Sequence, residues 1–165
     1  MKTICLYFEI HQIIHLKRYR FFDIGIDHYY YDDYENERSI TDIAERSYMP
    51  ALETLLDMIK QGNGYFKVTF SISGVGMEQL EMHAPQVIAK LQEINETGCA
   101  EFLAEPYSHG LSSLANEESF AADVKKQCDK MKDYFGKRPT ILRNSSLIYS
   151  DDIGGQVAAM GFKGM

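Results

Sequence analysis

The chain has 165 residues, 45% of them hydrophobic and 25% charged, which fits one globular domain or part of a larger one and excludes a disordered chain. Its formal net charge is −7 and it has no basic run, so a nucleic-acid partner is not expected. No apolar run approaches the roughly 20 residues that span a bilayer, and the first one is broken by Glu9 and His11 with no small-residue cleavage site after it. The expectation is therefore no membrane and a cytoplasmic protein.

In chain order, residues 3–10 read as the first strand, apolar enough to be buried on both faces of a parallel sheet. A polar and aromatic segment follows over 13–42. Leu52, Leu55, Leu56 and Ile59 then recur at helical spacing, with Ser47 as expected N-cap, Pro50 in the first turn and "QGNG" at 61–64 as the stop. "YFKVTFSIS", 65–73, reads as the second strand. Met77, Leu80, Val87, Ile88, Leu91 and Ile94 trace a helix that Pro85 should divide, and Gly98 should end. "CAEFLAE", 99–105, is the third strand.

Asn116 should cap the next helix, whose buried face is Phe120, Val124, Cys128, Met131 and Phe135, with Gly136 ending it. "TILR", 140–143, reads as a fourth strand. Ser150 should cap a last helix ahead of Asp151 and Asp152, Gly161 should stop it, and "FKGM" opens a fifth strand. Strands beginning near 3, 66, 100, 140 and 162 alternate with helices. That is the rhythm of βαβ units, an α/β fold with a parallel sheet.

In such folds sites form at the carboxyl ends of the strands. Glu9, His11 and Gln12 stand at the first end and Ser71 and Ser73 at the second. Glu105, Tyr107 and His109 follow the third, and Arg143 to Ser146 the fourth. Alternation puts Glu9 and His11 on one face, and Glu101 and Glu105 on one face. Glu101 and Glu105 would have Cα atoms about 13 Å apart, too far for a close carboxyl pair. Glu9 with Glu101 is possible, but nothing in the sequence singles it out.

The loop "RYRFFDIGIDHYYYDDY", 18–34, is expected either to bury its own aromatics across the mouth of the fold or to offer a sugar-stacking wall. Its acidic residues lack calcium-loop spacing. His11 and His15 are four apart but follow a strand, so helical metal ligation does not apply. There is no G-x-S-x-G, and "SGVG" at 73–76 is not a phosphate loop with its lysine. Cys5, Cys99 and Cys128 lack metal spacing and read as reduced thiols.

"HQ" at 11–12, "GCAEFL" at 98–103 and "LRNSSLIYSDDIGGQVAAMGFKGM" at 142–165 together resemble the N-terminal portion of glycoside hydrolase family 57, its α-amylase-like branch. The family's H-Q-P region is matched by His11 and Gln12, with Ile13 in the place of the proline. Its G-x-x-E region is matched by Gly98 and Glu101. "EPYSHGL" at 105–111 resembles the segment that adds a histidine to the cleft.

The resemblance implies an incomplete (β/α)7 barrel of the kind shared with deacetylases, with this chain as its N-terminal part, ending in the fifth strand. It implies a retaining α-glucan hydrolase or transglycosidase without cofactor or metal. The substrate-binding residues would be His11, Gln12, Glu101, Glu105 and His109, and the partner an α-glucan or maltooligosaccharide. The nucleophile is expected just after Met165 and the acid/base further on, so the catalytic pair is not expected within these residues. An incomplete barrel is also expected to self-associate through its exposed sheet edge. The rival readings are a metal-dependent polysaccharide deacetylase of related barrel fold and a non-catalytic glucan-binding remnant.

Overall fold

A computed structural model describes residues 4–165. Three strands, β1 (Tyr7–Ile10), β2 (Val68–Ile72) and β3 (Ala100–Leu103), form a parallel sheet in chain order. The register pairs Tyr7 with Thr69 and Thr69 with Glu101, then Glu9 with Ser71 and Ser71 with Leu103. The expected fourth and fifth strands are reduced to single parallel bridges, Ala104 to Leu142 and Ile141 to Gly164. Their hydrogen bonds nevertheless continue the order: Arg143 N–H donates to the Ala104 carbonyl (2.8 Å) and Leu142 N–H to the Gly164 carbonyl (3.0 Å). Neighbours that follow the chain without reversal make a barrel wall rather than a doubly wound sheet. The fold is a partial α/β barrel.

The strands are shorter than their sequence patterns. Thr3 lies outside the described residues, and Ile4 to Leu6 are not paired as strand. The expectation that β1 is buried on both faces fails: Tyr7 is 38% exposed and Ile4 84%. β1 is an edge strand, and only its outer face is covered by helices.

The outer face carries the core. Phe8, Phe70 and Phe102 stand in register across the three strands, with ring centroids 5.8 and 5.7 Å apart, and Phe135 stacks on Phe102 at 3.9 Å. Against them pack α2 (Met49–Gln61) through Leu52, Leu55 and Leu56, α3 (Gly74–His83) through Met77 and Leu80, and α4 (Pro85–Glu96) through Val87, Leu91 and Ile94. Pro85 divides α3 from α4 as expected. A second cluster joins Phe120, Val124 and Cys128 to Leu142, Ile153 and Val157. Those residues come from α6 (Glu117–Phe135), which follows the short α5 (Ser112–Ala115), from the fourth-strand segment and from α7 (Asp151–Ala159).

Asn116 caps α6 by accepting from Ser119 N–H, and Ser150 caps α7 by accepting from Ile153 N–H. Gly136 ends α6 at φ 75°, a left-handed conformation that favours glycine.

The region 33–61 departs from expectation. Helix α1 (Asp33–Ile43) begins inside the stretch read as irregular, capped by Asp32, which accepts from Glu35 N–H. It runs through a π-helical stretch, Ala44–Tyr48, straight into α2, so Ser47 is not an N-cap. Pro50 follows this wider turn. Its missing N–H and bulky ring do not suit a regular α-helix interior, and the widened turn accommodates both.

Candidate active-site cleft at the strand ends

Because successive side chains alternate, the residues that do not pack on helices share the inner face. Tyr7, Thr69, Glu101, Leu103 and Arg143 line a groove of about 530 Å³ along it. At its carboxyl end the chain builds a polar cluster. Glu105 follows β3 and is fully buried. Ser71 Oγ donates to Glu105 Oε2 (3.1 Å). That uses the single Ser71 hydroxyl proton, so the Tyr7 hydroxyl donates to Ser71 Oγ (2.6 Å).

Arg143 forks onto Glu9, Nη1 to Oε1 at 2.5 Å and Nη2 to Oε2 at 2.8 Å, while Nη1 lies 3.7 Å from Glu105. His109 sits between the same carboxylates, Nε2 3.4 Å from Glu9 and Nδ1 3.8 Å from Glu105. His109 has φ 52°, a left-handed conformation uncommon outside glycine and a sign of local strain. Its ring stacks on His11, centroids 4.1 Å apart. His11 Nδ1 in turn lies 2.7 Å from Ser73 Oγ.

The two stacked histidines are pushed in opposite directions. The Glu105 carboxylate raises His109, against the opposing effect of burial, with Glu9 adding to the rise and Arg143 reducing it. Burial first, then the neighbouring His109, lowers His11 to about 4. Stability should therefore respond to pH with two opposite slopes. The His109 contribution is present below the ordinary histidine value of 6.5 and is lost as pH rises through the raised folded value. The His11 contribution is present above 6.5 and is lost as pH falls toward about 4. Urea unfolding across pH 4–8 should show His11→Gln flattening chiefly the acid-side decline, and His109→Gln chiefly the alkaline-side decline.

The structure thus brings together three of the five residues expected from sequence, His11, Glu105 and His109, and adds Glu9 and Arg143, whose roles sequence reasoning left unassigned. Gln12 adjoins the cluster; its carbonyl, with that of Ile13, accepts from Gln79 Nε2 (2.9 and 3.0 Å). Glu101 shares the inner face but lies at the amino end of β3, exposed in the groove and outside the cluster. The aromatic loop does not bury its rings: Phe21 and Phe22 are 81% and 80% exposed. His15 is held by its backbone, which exchanges hydrogen bonds with Asn36 (2.7 and 3.2 Å), and it joins no group of metal-ligating side chains among the described residues.

Glu9, Glu105 and His109 bring ligand-type atoms within 4.8 Å of one another. They do not fit a divalent cation. The Arg143 guanidinium already occupies both Glu9 oxygens and approaches Glu105, so a metal ion would meet a fixed positive charge. Nor do the two carboxylates fit a double displacement, although their spacing approaches the roughly 5–5.5 Å of retaining pairs. Glu105 is closed off from a substrate and Glu9 is clamped by Arg143, on the same side rather than flanking a bond.

A parallel partial barrel with ionisable groups at its carboxyl rim defines the class of fold, with its polar cleft where α/β barrels carry their sites. The sequence profile of glycosyl hydrolase family 57 matches residues 5–165, and the chain belongs to that family. A Methanocaldococcus jannaschii protein bearing an α-amylase name is 33% identical over 135 residues, covering 81% of this chain and 28% of that protein. Among solved structures, the 4-α-glucanotransferase of Thermococcus litoralis superposes with a TM-score of 0.66 at 16% identity, over 76% of this chain and 19% of that one. The peptidoglycan deacetylase PdaC of Bacillus subtilis gives 0.52 at 18% identity, over 70% and 51%. The chain therefore spans less than a third of the length of the first two. The structural likenesses concern the fold alone. No helix among the described residues is long and apolar enough to cross a membrane.

Proposed function

We propose that this chain is the sugar-holding part of an α-glucan-acting hydrolase or transglycosidase, binding a maltooligosaccharide without cleaving it. The observation that supports this reading most is the rim cluster itself. Beside the donors and acceptors already paired, Glu105 Oε1, His109 Nδ1 and Arg143 Nε are buried without a protein hydrogen-bond partner. Buried polar atoms are normally satisfied, and waters that bridge them to the hydroxyls of a sugar in the cleft supply both donors and acceptors without direct contact to Glu105. His11 and His109 provide the edge of the seat. The groove below, with Tyr7 and Glu101 on its wall, has room for further sugar. Family membership supplies the substrate class. The acid and nucleophile of a double displacement would come from beyond these residues.

The deacetylase reading requires a metal seat, which Arg143 opposes. The experiment is calorimetric titration of the purified 165-residue chain with maltoheptaose, alongside product analysis on the same sugar. Binding is expected, weakened at least tenfold by His109→Ala or His11→Ala, with no hydrolysis. Turnover, with contaminating amylase excluded, or a folded chain that binds no maltoheptaose, would overturn the proposal.

A further inference from the structure

The "SGVG" segment, 73–76, is unused by the reading above, yet it meets the cluster directly. Ser73 is fully buried between the end of β2 and the start of α3. Its Oγ accepts from Gly76 N–H at 2.9 Å, the N-cap bond of α3, and lies 2.7 Å from His11 Nδ1. A hydroxyl has one proton to give. Among the hydrogen bonds of the described residues, His11 Nδ1 is the single neighbour placed to take it. Were Nδ1 protonated instead, the buried Ser73 O–H would have no acceptor, and buried donors are rarely left unpaired.

We propose that Ser73 is a positioning residue: it donates to His11 Nδ1, holds that imidazole as the neutral Nε2–H tautomer, and so makes His11 a hydrogen-bond donor to a sugar oxygen. The last clause rests on the sugar-binding reading; the tautomer itself does not. Two further features fix the ring. Gly76 packs so closely that a Cβ there would lie 3.4 Å from the His11 Cα, holding the strand end against the α3 cap. His109 covers one ring face, and an imidazolium stacked there disfavours a second proton on His11. The charged groups facing His11 are Glu9 on its own strand, His109 and Arg143. The lowered His11 value fits a ring held neutral.

The test is a long-range proton–nitrogen correlation spectrum of the full chain carrying ¹⁵N-histidine, recorded without sugar across pH 5–8. Wild type should show His11 with Nε2 protonated and Nδ1 bare throughout. Ser73→Thr should keep that pattern. Ser73→Ala should lose it and move the His11 titration upward. Ser73→Asp, which can cap α3 but only accept at neutral pH, should place the proton on Nδ1. The Asp variant keeps the question open to measurement even if loss of the cap unfolds the Ala variant. A wild-type His11 that is Nδ1-protonated or evenly mixed, or a folded Ser73→Asp with an unchanged pattern, overturns the proposal. Failure of maltoheptaose to shift the His11 Nε2–H resonance would instead count against the sugar-binding reading alone.

Discussion

Arg143→Met is expected to cost about 3 kcal/mol of stability at neutral pH, because it removes one partner of a buried charge network and leaves the others uncompensated. Met retains much of the apolar stem, so the loss reports the guanidinium rather than packing. In the native chain that group holds both oxygens of Glu9 and stands 3.7 Å from the fully buried Glu105. Without it, two carboxylates with oxygens within 4.8 Å face each other, with only His109 between them. Arg143→Lys should recover part of the loss, since one ammonium restores charge but not the two-pronged bond. Urea unfolding at neutral pH measures both. A deficit below about 1 kcal/mol at neutral pH, typical of a surface pair, would show that the network is a solvated ion pair and not a buried one.

The dependence on Arg143 also explains how much of the site was legible. Period-2 alternation assigns a strand residue to a face, and the carboxyl-end rule assigns it to a rim. Together they place His11, Glu105 and His109 correctly. Alternation alone does not fix height along the strand, but the rise per residue does: the ~13 Å between Glu101 and Glu105 leaves Glu101, matched by motif, on the inner face below the cluster. The Glu9–Arg143 pair spans 134 positions in the chain, so no local pattern reveals it. The sheet order puts the fourth segment beside β3, three places from β1, so the pair forms because long side chains converge on the inner face of a curved wall.

The fold shows the same division. Caps at Asn116 and Ser150 and the breaks at Pro85 and Gly136 are local signals, and they hold. The strands beyond β3 thin to single bridges, because a strand is defined by its neighbours and the sequence specifies only a segment's preference. The start of α1 carried a readable signal, Asp32 with Glu35 three residues on, the spacing of a cap. It was hidden by the tyrosine-rich run before it and by the polar character of the helix, whose buried residues are only Asn36 and Ile40.

Gly74→Ala is expected to destabilise the chain by about 2–3 kcal/mol, although two general considerations point the other way. Ala outranks Gly in helices by up to about 1 kcal/mol, and the substitution also restricts the unfolded chain. What decides the sign is Tyr107. Its ring lies against Gly74, and a Cβ there would fall well inside contact distance of the ring carbons. The ring cannot simply swing aside. Lys126 Nζ covers it at 3.6 Å from the centroid, its hydroxyl is bonded to Glu78, and its carbonyl accepts from Val75 N–H at 3.1 Å. Overpacking of this kind typically costs 1–3 kcal/mol. The displacement would also pass to Glu105 and His109, two residues either side of Tyr107, so maltoheptaose affinity should fall with stability. A double-mutant cycle separates the causes. In a Tyr107→Ala background the obstacle is gone, and Gly74→Ala should become neutral or stabilising as helix propensity reasserts itself. If Gly74→Ala costs the same in both backgrounds, the ring is not what demands glycine at the start of α3, and the close seat of the Tyr107 segment does not hold the rim of the cleft in place.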